Sequence, residues 1–456
     1  MFHLLFLPDG RRLPVTATDA DDAARLAAAT ARLDRATVRL LEQRHHGARD
    51  FRSGRASSRL LSHLRLGAED AGTERGHFTW WPQGVFVRRS LADWLRRYHE
   101  IELQAAPIIT PVLRSWEDNS VLRRLAGDYS PRLYGVTLEG DREGVLTYGG
   151  DPGFLSLLAS MPEVPAVLPW RVYEQVWGHR RCRRGELGGL QRSRSFEFFD
   201  FHSLVTRELG IGEYLDLIAR QVGFVVRHGH GAAVEVRVDR ADEQALDDLG
   251  AFSRRSELPI VVGLTDRTDK YYRLLHNLYD NQGLHTMHGQ LDEVNAEAWI
   301  GDAGAELTVI HAASGALERW LLVYLLDAEA RSCRALPDWV APTQLTLVPV
   351  NPGHHDGAAG VAQDLAASGV RVQVDDRTLS VGRRIRDSVD TWVPRTVVVG
   401  ERELKDPDET LLVRDGSGEL RPYDRAGLAR ELGNTDPTVS SAPVAPRWLS
   451  AEPRFS

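Results

Sequence analysis

The densest chemistry in the chain lies between Leu168 and Leu204, where two strand-like runs, V-L-P-W-R-V-Y-E-Q-V-W and F-E-F-F-D-F, flank a turn rich in arginine and glycine. Arginines near the ends of paired strands can converge on one face, and each offers a rigid, bidentate donor fork suited to phosphate or carboxylate. Phe196, two residues after Arg194, supplies a ring on which a base could stack. The competing reading of these residues is a basic hairpin exposed to solvent.

Arginine carries nearly all of the positive charge. Only Lys270 and Lys405 occur, so 54 of the 56 Lys+Arg residues are arginine. A phosphate-binding P-loop needs a lysine in a glycine-rich loop, and neither lysine has one. The protein-kinase signatures V-A-I-K, H-R-D and D-F-G are also missing. Both lysines sit among charges, where no apolar pocket would lower the pKa for Schiff-base chemistry. H-E-x-x-H, C-x-x-C, G-x-S-x-G and G-x-G-x-x-G do not occur. Among the 16 histidines, adjacent pairs such as His354/His355 read first as solvated loop residues. Cys182 and Cys333 read as free thiols rather than a disulfide.

The elements that must hold these residues are legible in outline. A length of 456 residues implies two or three domains with ample core. The net charge of -8 argues weakly against a general nucleic-acid coat but leaves room for local arginine sites. The longest apolar run, W-L-L-V-Y-L-L at 320–326, is too short to span a bilayer. The start, M-F-H-L-L-F-L-P-D-G, lacks a basic beginning and a cleavage site, so it reads as a strand and turn. A soluble cytoplasmic protein is the expectation.

Residues 1–70 are expected to form an N-terminal extension, a short β piece followed by a helical stretch. Residues 71–335 carry the strand-like runs, whose partial alternation suits an antiparallel sheet with one face toward helices. Residues 336–434 alternate β-α-β-α-β, which implies a largely parallel sheet. The tail 435–456, with Pro437, Pro443, Pro446 and Pro453, is expected to lack structure.

The segment 168–204 resembles motif 2 of class II aminoacyl-tRNA synthetases, and specifically the threonyl-tRNA synthetase family, without a gap. By that resemblance Arg180 binds the α-phosphate and the amino-acid carboxylate, Arg192 reaches the γ-phosphate, and Phe196 stacks on adenine. Asp200 falls on an aspartate that contacts the amino acid, and His202 on a zinc ligand. The stretch 309–320 resembles motif 3, with Arg319 as its ATP-binding arginine and His311 as a second zinc histidine, although it is one residue shorter than usual. Q-L-D at 290–292 resembles the strand lining the ATP and amino-acid site, which makes Gln290 a candidate. G-H-F-T-W-W-P-Q-G at 76–84 and Pro107 resemble the entry segment and motif 1, which implies a homodimer. The last block is similar to the family's anticodon-binding domain. There Thr378 replaces an asparagine implicated in anticodon contact and Arg414 matches a family arginine in the following strand, which makes both tRNA-binding candidates. The implied fold is an α+β class II synthetase catalytic domain, an antiparallel sheet flanked by helices, plus a C-terminal α/β anticodon-binding-type domain.

Four departures fall in one pocket. D-P-G-F at 151–154 stands where the family has C-P-G-H, so a zinc site would use Asp151 with His202 and His311. Zinc accepts a carboxylate oxygen. The alternative is a metal-free Asp151 that binds the substrate amine. Cys182 replaces a glutamate that contacts adenine. E-F-F-D-F-H brings Phe198 and Phe201 beside Asp200. The family's Y-G-P-K segment has no clear counterpart, and Tyr271 or Tyr272 stands in for its tyrosine. Only about 50 residues separate the N-terminal strand from the catalytic block, too few for the family's editing domain. The implied activity is ATP- and Mg²⁺-dependent activation of threonine or a close analogue, and transfer to tRNA, expected to be tRNA-Thr. Two alternatives remain open: a paralogue that activates another amino acid or charges a non-tRNA acceptor, and a non-catalytic tRNA-binding regulator.

Overall fold

Valine- and isoleucine-rich runs such as A-V-E-V-R-V-D and I-V-V-G-L-T suit a pleated, buried surface and become adjacent strands. The computed structural model describes the chain except residues 1, 17–19, 47–51, 127–129, 267–271, 293–295, 332–333, 406–409, 434–446 and 452–456. Lys270, Tyr271 and Cys333 lie outside the described residues.

The packing divides the chain into two units, one formed by residues 1–53 and 95–320, the other by 54–94 and 321–456. The first is built on a ten-stranded sheet. From one edge its order is Arg12–Pro14, Phe2–Phe6, Ile260–Thr265, Ala233–Asp239, Tyr272–Tyr279, His285–Asp292, Leu307–Ala316, Ser195–Thr206, Trp170–His179 and Ala106–Pro107. Only Ala233–Asp239 with Ile260–Thr265, and Ala106–Pro107 with Trp170–His179, pair in parallel. The sheet is therefore mixed rather than purely antiparallel.

The N-terminal β piece is not a separate extension. Phe2–Phe6 pairs residue by residue with Ile260–Thr265, because its apolar side chains have a buried edge to complete. The helices Ala20–Thr30 and Arg35–His46 cover that end through Ala29, Ala36, Leu40 and Leu41. The long helix Arg207–Arg227 packs on the central strands and buries Tyr214, Leu217, Ile218 and Phe224.

The second unit contains a six-stranded sheet in the order Leu420–Tyr423, Leu411–Asp415, Arg395–Val399, Leu345–Pro349, Val372–Val374 and Arg447–Trp448. Its β-α-β-α-β core is the parallel arrangement read from the sequence. Residues 54–94 and the end of helix Leu317–Glu329 also belong to this unit, so its packing does not follow boundaries near 70 and 335. Aromatic contact explains why: Trp94 meets Tyr324 and Trp339 at ring-centroid distances of 6.3 and 5.8 Å. The tail is corrected in part. Residues 434–446 lie outside the description, but Arg447–Trp448 adds a parallel edge strand to Val372–Val374. Among the described residues, no helix is long and apolar enough to cross a membrane.

Candidate functional site

Cross-strand register assembles the site. Directly opposed residues share a face of a sheet, so pairing alone decides which side chains meet. Gln290, His311 and His202 lie opposite one another on three adjacent strands. The neighbouring row runs His288, Ala313, Asp200 and Glu174. A register shift between Phe198 and Asp200 sets the second row, as the facing strand passes through Gly315 at φ +77°. A Cβ there would stand 2.0 Å from the Thr286 carbonyl oxygen, so the shift requires glycine.

Asp151 begins the helix Asp151–Ser160 and reaches both histidines. Its Oδ1 lies 3.1 Å from His202 Nε2 and 2.8 Å from His311 Nδ1. The two rings meet edge to face with centroids 5.0 Å apart. The donor atoms of Asp151, His202 and His311 all lie within 4.8 Å of one another. His311 Nδ1 is buried and makes no hydrogen bond of acceptable angle despite its short distance to Asp151, whereas its Nε2 lies 2.9 Å from Asp292 Oδ2. Two nitrogens and an oxygen, with one ring held from behind by a carboxylate, form a donor set that fits zinc.

The electrostatics separate the two carboxylates. Burial works to raise the Asp151 pKa, but His311 and His202 outweigh it and hold the group well below the usual range. Asp200 is raised well above it, by burial first and then by Asp151. Asp200 Oδ2 accepts from the Gly150 amide at 2.7 Å, and a Cβ on Gly150 would stand 2.6 Å from that oxygen. Burial lowers His202 to about 4.

The arginines converge beside this cluster. Arg180 follows directly on the strand Trp170–His179; its Nε donates to the Tyr148 carbonyl at 3.0 Å and its guanidinium lies 5.0 Å from the Phe196 ring centroid. Burial, then the charges of Arg180 and Arg192, lower Arg319 to about 10. Arg319 Nη1 donates to His285 Nδ1 at 3.2 Å. Arg192 is 3.6 Å from Glu186. Phe198 lies on the same side and packs with Phe196, Val176 and Ala313, whereas Phe199 and Phe201 turn to the other face against His99.

The remaining candidates are dispersed. Tyr272 stands at the strand end opposite Asp292, two positions beyond Gln290. Thr378 is exposed in the turn before the helix Val381–Asp390, and Arg414 Nη1 donates to the Gly418 carbonyl at 2.9 Å; both belong to the second unit. Cys182 is buried.

Sequence reasoning missed His288, Asp292 and Glu174. His288 is lowered to about 4 by burial first and then by Arg180, with Asp151, Arg319 and His311 also acting on it. Its only signal was the two-residue offset from Gln290 on one strand. Glu174 Oε2 accepts from the Thr110 hydroxyl at 3.0 Å.

Comparison with known proteins follows the same division. A family model described as an anticodon binding domain matches residues 344–432. The chain is 28% identical over 425 residues to the threonine–tRNA ligase of Methanosarcina mazei, covering 87% of this chain and 66% of that protein. It is 25% identical over 387 residues to the enzyme of Methanocaldococcus jannaschii, covering 80% and 62%. The chain is thus similar to threonine–tRNA ligases over most of its length, and it spans about two thirds of the length of these curated relatives. Its fold is also that of a crystal structure titled as the RNA binding domain of threonyl-tRNA synthetase from Cryptosporidium parvum, with TM-score 0.69, 20% identity, and 84% and 98% of the two chains covered.

Proposed function

We propose that the ten-stranded sheet is a class II synthetase catalytic domain and that the protein is an aminoacyl-tRNA ligase, activating threonine or a close analogue with ATP and passing it to tRNA. The observation that carries this reading is the convergence of Arg180, Arg192 and Arg319, with Arg180 over the Phe196 ring, beside an Asp-His-His cluster. Activation is an in-line attack of a carboxylate on the α-phosphate of Mg²⁺-ATP, and charge builds on phosphoryl oxygens. Three arginine forks supply the stabilisation such a step needs, and no protein nucleophile is required.

In this reading Phe196 stacks on adenine under Arg180, and Gln290 faces the substrate from the neighbouring strand. Asp151, His202 and His311 hold zinc, which when bound supplies a Lewis-acid position for the amine and hydroxyl of the amino acid. Asp292 fixes the orientation of His311. Asp200, held by the Gly150 amide in the row beside His202, faces the amino acid. tRNA is the proposed acceptor, read by the anticodon-binding domain through Thr378 and Arg414. The edge strand Ala106–Pro107 is flanked by exposed Ile101, Ile109, Val112 and Leu113, an apolar margin suited to a homodimer.

Phe198 and His288 favour a second reading of the substrate. Phe198 packs beside Phe196 and His288 lies in the Asp200 row, and in the second reading these side chains select an amino acid other than threonine. Pyrophosphate exchange with each amino acid, with and without tRNA, decides. Exchange with threonine supports the first reading and exchange with another amino acid the second. No exchange with any amino acid defeats the ligase assignment.

A further inference from the structure

The helix Arg35–His46 lies directly over the turn that joins the strands Tyr272–Tyr279 and His285–Asp292. Gln43 Nε2 donates to the Gly283 carbonyl at 3.2 Å, and a Cβ on Gly283 would stand 2.1 Å from that nitrogen. A Cβ on Gly231 would stand 2.8 Å from Cβ of Ala36. The contact is too close for a loosely attached extension. It also has a polar centre. Arg44 grips the Glu235 carboxylate with both arms of its fork, its Nη2 at 2.9 Å from Oε2, and the same Nη2 donates to the Tyr279 hydroxyl at 2.7 Å. That hydroxyl donates to Glu235 Oε2 at 3.2 Å. The Glu235 side chain is fully buried. A buried carboxylate held by a fixed fork has one low-energy arrangement. Without the fork it is left to the Tyr279 hydroxyl and the longer contacts of His3 at 3.6 Å, Arg237 at 3.8 Å and Asn277 at 3.5 Å, none of which spans both oxygens.

From Tyr279 the path continues to the site. Tyr279 is the cross-strand partner of His285, with ring centroids 5.7 Å apart. His285 Nδ1 accepts from Arg319 Nη1 at 3.2 Å. We propose that Arg44 is a positioning residue for Arg319: through Glu235, Tyr279 and His285 the N-terminal helix fixes the ring against which the arginine is aimed. The helix Arg35–His46 is then a working part of the nucleotide site rather than an appended piece. This inference rests on the reading of Arg319 as an ATP-site arginine.

The test compares Arg44→Met, Arg44→Lys and Tyr279→Phe with Arg35→Met, a change on the exposed side of the same helix. Each full-length variant is measured for Tm, for the ATP dependence of pyrophosphate exchange, and for hydrogen exchange of peptides spanning 279–285 and 317–321. Arg44→Met is expected to raise the KM for ATP about tenfold, the effect of one misdirected charge-assisted hydrogen bond, with kcat within about threefold. Exchange should rise at both peptides. Arg44→Lys restores the effect only in part, because an ammonium cannot span both carboxylate oxygens and the hydroxyl. Tyr279→Phe keeps the packed ring and gives a rise of about threefold, which decides the matter if Arg44→Met does not fold. Arg35→Met changes nothing. A lower Tm with unchanged KM and unchanged exchange at 317–321, in both Arg44→Met and Tyr279→Phe, overturns the proposal. If the wild type itself shows no ATP dependence, the nucleotide reading falls. The positioning link is then judged by exchange at 317–321 alone: a rise in Arg44→Met retains it and no rise removes it.

Discussion

The two sheets bury different things. The six-stranded sheet encloses an aliphatic cluster, with Leu345, Leu347, Val361, Val372, Val374, Val397, Val399, Leu411 and Val413 at its centre. The ten-stranded sheet has an aliphatic cluster of its own at the N-terminal end, yet along its central strands it buries Asp200, His202, Glu235, His276 and His311. Polar groups in an interior cost stability unless each is partnered, and here each partner is specific: Asp151 and Gly150 for the central cluster, Gln221 for His276, Arg44 for Glu235. Polar groups are also buried around the six-stranded sheet, among them Thr346, Gln373, Thr396, Asp375 and Arg384, but no histidine among the described residues. The ten-stranded sheet is set apart by the imidazoles and carboxylates clustered on its central strands.

The largest expected effect breaks the two apart. Arg180→Ala removes the fork held by the Tyr148 carbonyl and the Phe196 ring, and should lower the pyrophosphate-exchange rate by roughly 10²–10³-fold, the range for loss of one preorganised electrostatic donor. Its Tm should stay within a few degrees of wild type. Leu347→Ala, at the centre of the aliphatic sheet, should do the reverse: about 2–5 kcal/mol of destabilisation in denaturant titration, and exchange per folded molecule unchanged. Exchange lost in Leu347→Ala at full folding, or retained in Arg180→Ala, removes the distinction.

Removal of metal is the next largest. Asp151→Ala should lower bound zinc, measured by elemental analysis, and weaken amino-acid dependence more than ATP dependence. Asp292→Asn keeps all three donors and should retain zinc while reducing its affinity about tenfold, as expected for a partner behind a ligating imidazole. Equal zinc content in wild type and Asp151→Ala, at any level, would mean that the cluster is not a metal site.

These contrasts also explain what the sequence disclosed. The parallel core of the C-terminal sheet was readable because short β-branched and aliphatic runs alternate with helices, whereas its strand order and its antiparallel edge, Leu411–Asp415 and Leu420–Tyr423, were not. The arginines, Phe196 and the Asp-His-His set came from residues matching a family pattern, and the structure brings them together. His288 and Glu174 were invisible for a physical reason: their place depends on which residue lies opposite across the sheet, including the shift at Phe198/Asp200, and no single strand encodes that. The docking of Phe2–Phe6 on Ile260–Thr265 and of Arg44 on Glu235 joins residues about 190 or more positions apart, beyond any local periodicity. Tyr272, offered with Tyr271 as a replacement for a missing tyrosine, stands at the strand end opposite Asp292.

Acid should expose the difference between the sheets in a graded way. His99 and His276 are fully buried in the first unit, and burial lowers them to about 4 and about 3; among the described residues the second unit buries no histidine. A histidine with a depressed folded pKa takes up its proton more readily in the unfolded chain. Its contribution is therefore intact above about pH 6.5 and declines as pH falls toward the folded value, at up to about 1.4 kcal/mol per pH unit for each group. Between pH 7 and 5, hydrogen-exchange protection, corrected for the intrinsic rate at each pH, should fall in the strands Tyr272–Tyr279 and Ser195–Thr206 before it does in Leu345–Pro349. Simultaneous loss of protection in both sheets would show that the buried histidines do not set acid sensitivity.

The smallest effect concerns the aliphatic sheet's own outer surface. Among the described residues Arg414 is tethered to the Gly418 carbonyl in its own hairpin, and Thr378 is exposed, so neither is fixed as the site arginines are. If these residues meet tRNA as proposed, Arg414→Ala should weaken tRNA binding several-fold, the weight of one base or phosphate contact. A phosphate contact would also make the salt dependence shallower by about one unit of slope, whereas a base contact would leave the slope and alter discrimination between tRNAs. Pyrophosphate exchange without tRNA should not change in either case. Titrating wild type and Arg414→Ala with tRNA at several salt concentrations separates the two kinds of contact. Identical affinity across the series would take Arg414 out of the interface and leave the domain's RNA face to be sought elsewhere on the sheet.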